Sequence, residues 1–185
     1  MGSVQVKVLL HACCGPCASA CIPRLLEQGH EVSLFFSNSN IDTREEYARR
    51  LGAAGKLAEA DGVDLICDDY DHARWLKEVA AGHEADPEKG ERCRRCYRYN
   101  IARAAGYAAA HGFDAVASSL TVSPHKPSAV VFEAGEEAAA GAPGTAFMKA
   151  DFKKRGGFAI SVERARKLGL YRQGYCGCEF SRPAG

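Results

Sequence analysis

No stretch of this 185-residue chain comes near 18 uninterrupted apolar residues, so a membrane-spanning helix is excluded. The opening stretch MGSVQVKVLLHACC has no basic leader, and its apolar run is short and ends in cysteines. No signal peptide is therefore expected, and the expected compartment is the cytoplasm. Net charge is scarce as well, at +1; attraction to a charged partner has to come from local patches. Internal repeats and low-complexity segments are missing, since AGEEAAAGAPG is alanine-rich but short. A hydrophobic content of 46% is ordinary for a globular protein with a core. At this length one domain spanning 1–185 is expected.

Against these absences stands an excess of cysteine, with nine residues at positions 13, 14, 17, 21, 67, 93, 96, 176 and 178. An odd count and a reducing compartment argue against a disulfide framework. Seven of the nine fall into tight groups: Cys13/Cys14/Cys17, Cys93/Cys96 and Cys176/Cys178. Thiolates must converge to serve a metal or redox centre, whereas cysteines that merely fill a core have no reason to cluster. Cys67 reads as a buried small hydrophobe, Cys21 as a packed thiol, and His11 as a packed strand-end residue.

Charge is patterned locally. Residues 59–71 hold six acids and no Lys or Arg, and residues 92–103 hold five arginines and no acid. Residues 149–172 hold eight Lys/Arg against only Asp151 and Glu163. Both basic runs adjoin cysteine groups, which suggests an anionic substrate approaching the same place.

Strands are expected at 4–10, 31–36, 63–67 and 114–119. Helices are expected from the cysteine loop to about Gln28, from a cap at Asp42 or Thr43 to about Ala60, through Trp75, and from about Cys93 to His111. Beyond 120 the chain is less regular, with helices near 127–139 and 161–168 and a strand at 145–150, packed on the rest. Alternating strands and helices predict a doubly wound parallel α/β sheet. Ligands bind such sheets beyond the carboxyl ends of the strands, where the first cysteine group sits.

Three chemistries compete for the cysteines. Cys14-Gly15-Pro16-Cys17 at a helix start has the form of a thioredoxin-like dithiol oxidoreductase. That chemistry leaves Cys93, Cys96, Cys176 and Cys178 without a role. A zinc-binding, RNA-binding module would use those four and leave Cys13, Cys14 and Cys17 idle. An iron–sulfur centre takes four thiolates, often from distant parts of a chain. Adjacent cysteines seldom bind the same iron, so one member of each close pair joins Cys93 and Cys96. The remaining three are free for a second metal or act as reactive thiols.

The segments HACCGPC (11–17), SNSNIDTREEYARR (37–50), ERCRRCYRYNIARAA (91–105), SSLTVSPHK (118–126), FMKADFKKRGG (147–157) and LGLYRQGYCGCEFS (168–181) stand in a specific order. In that order the chain resembles the cobalamin-independent epoxyqueuosine reductases of the QueH type. The resemblance implies a Rossmann-like (HUP-type) parallel sheet with helices on both faces, similar to adenine nucleotide alpha hydrolase-like folds. The Ser-Gly-Gly-x-Asp-Ser phosphate loop of the related ATP pyrophosphatases is replaced by the cysteine loop, so ATP use is not expected.

The activity implied is two-electron reduction of epoxyqueuosine in a tRNA anticodon, with the epoxide oxygen leaving as water. A [4Fe–4S] cluster is implied on Cys14, Cys93, Cys96 and Cys178, with Cys13, Cys17 and Cys176 bordering a second iron or the substrate. Asp151, Tyr97 and Tyr175 lie in or beside matching motifs and are the candidate proton donors. Arg92, Arg94, Arg95 and Arg98 in one run, and Lys153, Lys154, Arg155 and Arg172 in the other, are the candidate tRNA contacts. Binding through them would weaken steeply as salt rises. A ferredoxin or flavodoxin is the expected electron donor.

Overall fold

A computed structural model describes residues 5–183. Five strands form one all-parallel sheet: β1 (Lys7–His11), β2 (Glu31–Phe36), β3 (Asp64–Cys67), β4 (Ala115–Ser118) and β5 (Ala146–Phe147), in the order β3-β2-β1-β4-β5. The Rossmann-like α/β expectation is thereby met. Val4, placed in the first strand by its sequence, lies outside the described residues.

The helices are α1 (Gly15–Glu27), α2 (Arg44–Asp61), the short α3 (His72–Trp75), α4 (Glu91–Ala110), α5 (Ser128–Ala140) and α6 (Gly157–Lys167). The short α3 continues into a π turn, Leu76–Ala80. Thr43 caps α2, its hydroxyl accepting from the Glu46 amide at 3.1 Å. Among the described residues, no helix is long and apolar enough to cross a membrane.

Why the sheet is buried on both faces is legible in alternate residues. Val8, Leu10, Leu34 and Phe36 pack with Ala18 and Ile22 of α1, Ala54 and Leu57 of α2, and Ala165 of α6. Leu9, Phe35 and Val116 point the other way, onto Ala104, Ala105 and Ala108 of α4. Such two-faced burial makes the central strands nearly continuous apolar runs.

Arg164 of α6 ties three helices together. Pro23 inside α1 has no N–H to give the carbonyl of Ser19, and Arg164 Nη1 fills that gap at 2.5 Å. The same guanidinium grips Asp61, the last residue of α2, at 2.5 Å and 3.1 Å. Part of the acidic and basic runs is thus spent inside the fold, as is Asp68, paired with Arg103.

Two of the three single-residue expectations hold. His11 is fully buried between the Ser118 hydroxyl and the Ser37 carbonyl, and burial holds its pKa down. Cys21 is buried in the core, its thiol on the Cys17 carbonyl at 3.5 Å. Cys67 is the exception: it is exposed, because β3 is an edge strand and Cys67 is its last residue.

Candidate metal centre and substrate cavity

The chain leaves β1 towards β2 and β3 on one side of the sheet and returns through β4 and β5 on the other. Strand order therefore reverses between β1 and β4, and a crevice opens beyond their carboxyl ends. There Cys13, just after β1, donates its amide to the Ser119 hydroxyl just after β4, at 3.1 Å. That hydroxyl in turn donates to Cys13 Sγ at 3.3 Å. The sulfurs of Cys13, Cys14 and Cys17 all lie within 4.8 Å of one another, close enough to share a metal ion.

Local structure explains the grouping. Cys14 is the N-cap of α1, its Sγ accepting from the Cys17 amide at 3.4 Å, and Pro16 starts the helix. Gly15 is required because a Cβ there would sit 2.8 Å from the Ala53 backbone of α2. Hydrogen bonds from Cys13 and then Cys17 hold the Cys14 thiol well below its ordinary pKa despite its burial. The converse interactions push Cys13 and Cys17 up. Of the three, the Cys14 thiol is therefore the one most readily ionised, as a metal ligand must be.

The other four clustered cysteines line a separate cavity of about 70 Å³. Cys93 and Cys96 face it from the first turns of α4, and Cys176 and Cys178 from the C-terminal loop. The family resemblance implies Cys14 with Cys93, Cys96 and Cys178; its sulfur lies within 4.8 Å of those of Cys13 and Cys17, and Cys176 lines the small cavity with the other three. Burial first, then the neighbouring sulfurs, push Cys96 well up; burial likewise raises Cys93 and Cys178.

N–H groups meet these sulfurs. The Lys89 amide donates to Cys93 Sγ at 3.3 Å and Asn100 Nδ2 to Cys96 Sγ at 3.6 Å. The Trp75 indole Nε1 is buried at the same cavity with no partner of its own. Four sulfurs around one cavity, ringed by N–H donors and one orphaned indole, make a donor set that fits an anionic iron–sulfur centre.

Arg50 of α2 holds the C-terminal loop in place. Its guanidinium donates to the carbonyls of Cys176 and Tyr175 at 2.7 Å and 3.1 Å and pairs with Glu46 at 2.6 Å, with 2% and 7% of the two side chains exposed. Gly177 has φ +141, and a Cβ on it would lie 3.0 Å from Asn40 Nδ2 and 3.1 Å from Arg50 Nη1. Arg50→Met strands a buried carboxylate and frees the loop. It is expected to lower unfolding free energy by about 3–5 kcal/mol, read by urea denaturation, and to reduce the metal retained on purification. Unchanged stability would show that the clamp is idle.

A second, open cavity of about 740 Å³ adjoins the first, within the range that holds a small-molecule ligand. Cys13 and Cys17 line it together with Cys96 and Cys176, so both sulfur groups face one space. Tyr97 and Lys126 line both cavities. Tyr97 is 7% exposed and its phenol is kept protonated mainly by burial. Burial works against the charge of Lys126, but Cys176, Cys13, Tyr97 and Cys17 overcome it and push its pKa up. Among the described residues no carboxylate lies within ion-pair distance of Lys126.

The other candidates are placed differently. Tyr175 lines the large cavity but donates its hydroxyl to Asp42 at 2.8 Å, and burial with that carboxylate lifts its pKa to about 12. Asp151 lines neither cavity; its Oδ1 accepts from the Ser128 hydroxyl at 2.9 Å. Lys153 donates to the same hydroxyl and to the Lys126 carbonyl, both at 2.8 Å, bracing the loop that presents Lys126.

Arg92, expected to meet phosphate, is 2% exposed and donates to the carbonyls of His83, Glu84 and Asp86. Arg95 is likewise engaged by the carbonyls of Val79 and Glu78. Arg98 pairs with Glu91, Glu133 and Glu137. Arg94 is half-buried, Lys154 and Arg155 are exposed, and of the eight only Arg172 lines the large cavity. Lys126, Arg50, Asn100 and Trp75 were not singled out by sequence. Lys126 ends the SSLTVSPHK segment, and its flanking prolines, Pro124 and Pro127, are the signal that marks a stiffened, ligand-presenting loop.

The family model described as "Epoxyqueuosine reductase QueH" matches residues 8–184. Proteins named epoxyqueuosine reductase QueH from Streptococcus pyogenes, Acinetobacter baylyi and Dehalococcoides mccartyi are 35%, 37% and 38% identical to this chain. These matches cover 97%, 95% and 95% of this chain and 71%, 80% and 92% of the respective relatives.

Proposed function

This chain belongs to the QueH family of epoxyqueuosine reductases, and we propose that it reduces epoxyqueuosine to queuosine in tRNA at the crevice between its two sulfur groups. The reaction takes up two electrons and two protons: the two epoxide C–O bonds break, a carbon–carbon double bond forms, and the oxygen leaves as water. Acting on tRNA sets its place of work in the cytoplasm. A small carrier of the ferredoxin or flavodoxin class supplies the electrons.

The observation that carries this reading is that two cysteine groups of different geometry face one open cavity. Cys93, Cys96, Cys176 and Cys178 would hold a [4Fe–4S] cluster, and Cys13, Cys14 and Cys17 a single iron. Bound there, the cluster supplies electrons one at a time and the iron a Lewis acid for the epoxide oxygen.

The chain itself does the positioning and the proton handling. Lys126 presents an ammonium, and Tyr97 a protonated phenol, to the space where the departing oxygen lies. Lys89 and Arg172 line the same cavity and offer charge to the anticodon phosphates. Phe158, 41% exposed beside Arg172, gives a nucleobase a face to stack on.

The test is purification without oxygen, counting of iron, sulfide and zinc, and mass analysis of nucleosides from epoxyqueuosine-containing tRNA after incubation with a reductant. About four sulfides per chain, with more iron than sulfide and conversion to queuosine, are expected. Stoichiometric zinc without sulfide would overturn the reading.

A further inference from the structure

Trp75 is the only tryptophan of the chain, and it is 1% exposed. It sits at the end of α3, where Asp71 caps the helix through the Arg74 amide at 2.9 Å. Its ring packs in one apolar cluster with Cys96, Cys178 and Phe180. A buried indole normally finds an acceptor for its N–H, and leaving that group unmade costs about 1–3 kcal/mol. Here Nε1 completes no hydrogen bond, yet Trp75 lines the cavity of the four sulfurs and lies in one packed cluster with Cys96. Asn100, one turn further along α4, already donates to that sulfur at 3.6 Å and is fixed by its second bond, to Asn40 Oδ1 at 3.0 Å. Cys96 thus receives one side-chain N–H and shares its cluster and cavity with a second, unpartnered one.

We propose that Trp75 and Asn100 are positioning residues that raise the reduction potential of the centre through the Cys96 sulfur. This rests on the reading of Cys93, Cys96, Cys176 and Cys178 as cluster ligands. The reduced centre carries one more negative charge than the oxidised one, and that charge is shared with the ligand sulfurs. N–H donors aimed at a sulfur stabilise the reduced form more than the oxidised form, so the potential rises with each donor.

Because the tryptophan is unique, it can be replaced throughout by benzothienylalanine, which keeps the ring shape and lacks the N–H. Wild type, the analogue-substituted protein, Trp75→Phe and Asn100→Leu are each purified without oxygen. Iron and sulfide are counted, and the midpoint potential is titrated on the visible absorbance. The analogue protein is expected to keep its iron and sulfide and to show a more negative midpoint; Trp75→Phe and Asn100→Leu are expected to shift the same way. A midpoint unchanged in the analogue protein at full metal content overturns the inference. Absence of an iron–sulfide chromophore from the wild type would instead overturn the underlying ligand reading, and the inference with it.

Discussion

Cys96→Ala is expected to abolish the visible chromophore, the acid-labile sulfide and the conversion of epoxyqueuosine in tRNA, while Cys67→Ala leaves all three intact. The contrast follows from placement. Cys96 faces both cavities from α4 among three other sulfurs. Cys67 lies exposed at the end of the edge strand and lines neither cavity. A cluster with three remaining thiolates loses a bond to one iron, and exposure of that corner to solvent promotes its breakdown. Cys14→Ala divides the two groups: it is expected to lower iron while sulfide stays at the wild-type count, because Cys14 sits with Cys13 and Cys17. If Cys14→Ala removes sulfide as completely as Cys96→Ala, the four-and-three division is wrong and Cys14 belongs to the cluster.

The second large effect is expected at Lys126. Lys126→Met should lower kcat/KM by about 10²–10⁴-fold, the usual contribution of a positioned proton donor, with iron and sulfide contents unchanged. The side chain lines both cavities, no carboxylate neutralises it among the described residues, and Lys153 with Ser128 holds its loop. Lys126→Arg, which keeps the charge on a different geometry, should fall between. Asp151→Asn should cost far less, since that carboxylate only receives the Ser128 hydroxyl. A Lys126→Met enzyme with wild-type kcat/KM would move the proton-donor role to Tyr97, which the Tyr97→Phe enzyme would then reveal.

Much of the fold was legible in order. Alternating apolar strands and capped helices indicated the parallel sheet, and β2 was placed at 31–36, the same bounds as the structure. Strand ends were less legible: the central β1 runs to His11 rather than residue 10, and β5, an edge strand held by only one neighbour, spans Ala146–Phe147 of the expected 145–150. The edge position of β3 exposes Cys67, which hydropathy alone could not separate from a core cysteine. The basic runs were legible as composition but not as free charge. Composition counts charges, but Arg92, Arg95 and Arg164 spend theirs on carbonyls and carboxylates inside the fold. A guanidinium with five donors is as suited to tying loops together as to meeting phosphate.

By itself the sequence determined the layer architecture, the family and the clustering of seven cysteines into three short segments, because periodicity, motif order and spacing are written along the chain. Which sulfurs meet was decided only by tertiary structure. Cys96 and Cys176 lie 80 positions apart, and they face one cavity because the Arg50 clamp seats the C-terminal loop beside α4. Lys126 gains its place in the same way: β4 delivers its loop to the crevice, and Lys153 pins it there. Proximity between distant segments is a product of packing, and no local pattern in the chain encodes it.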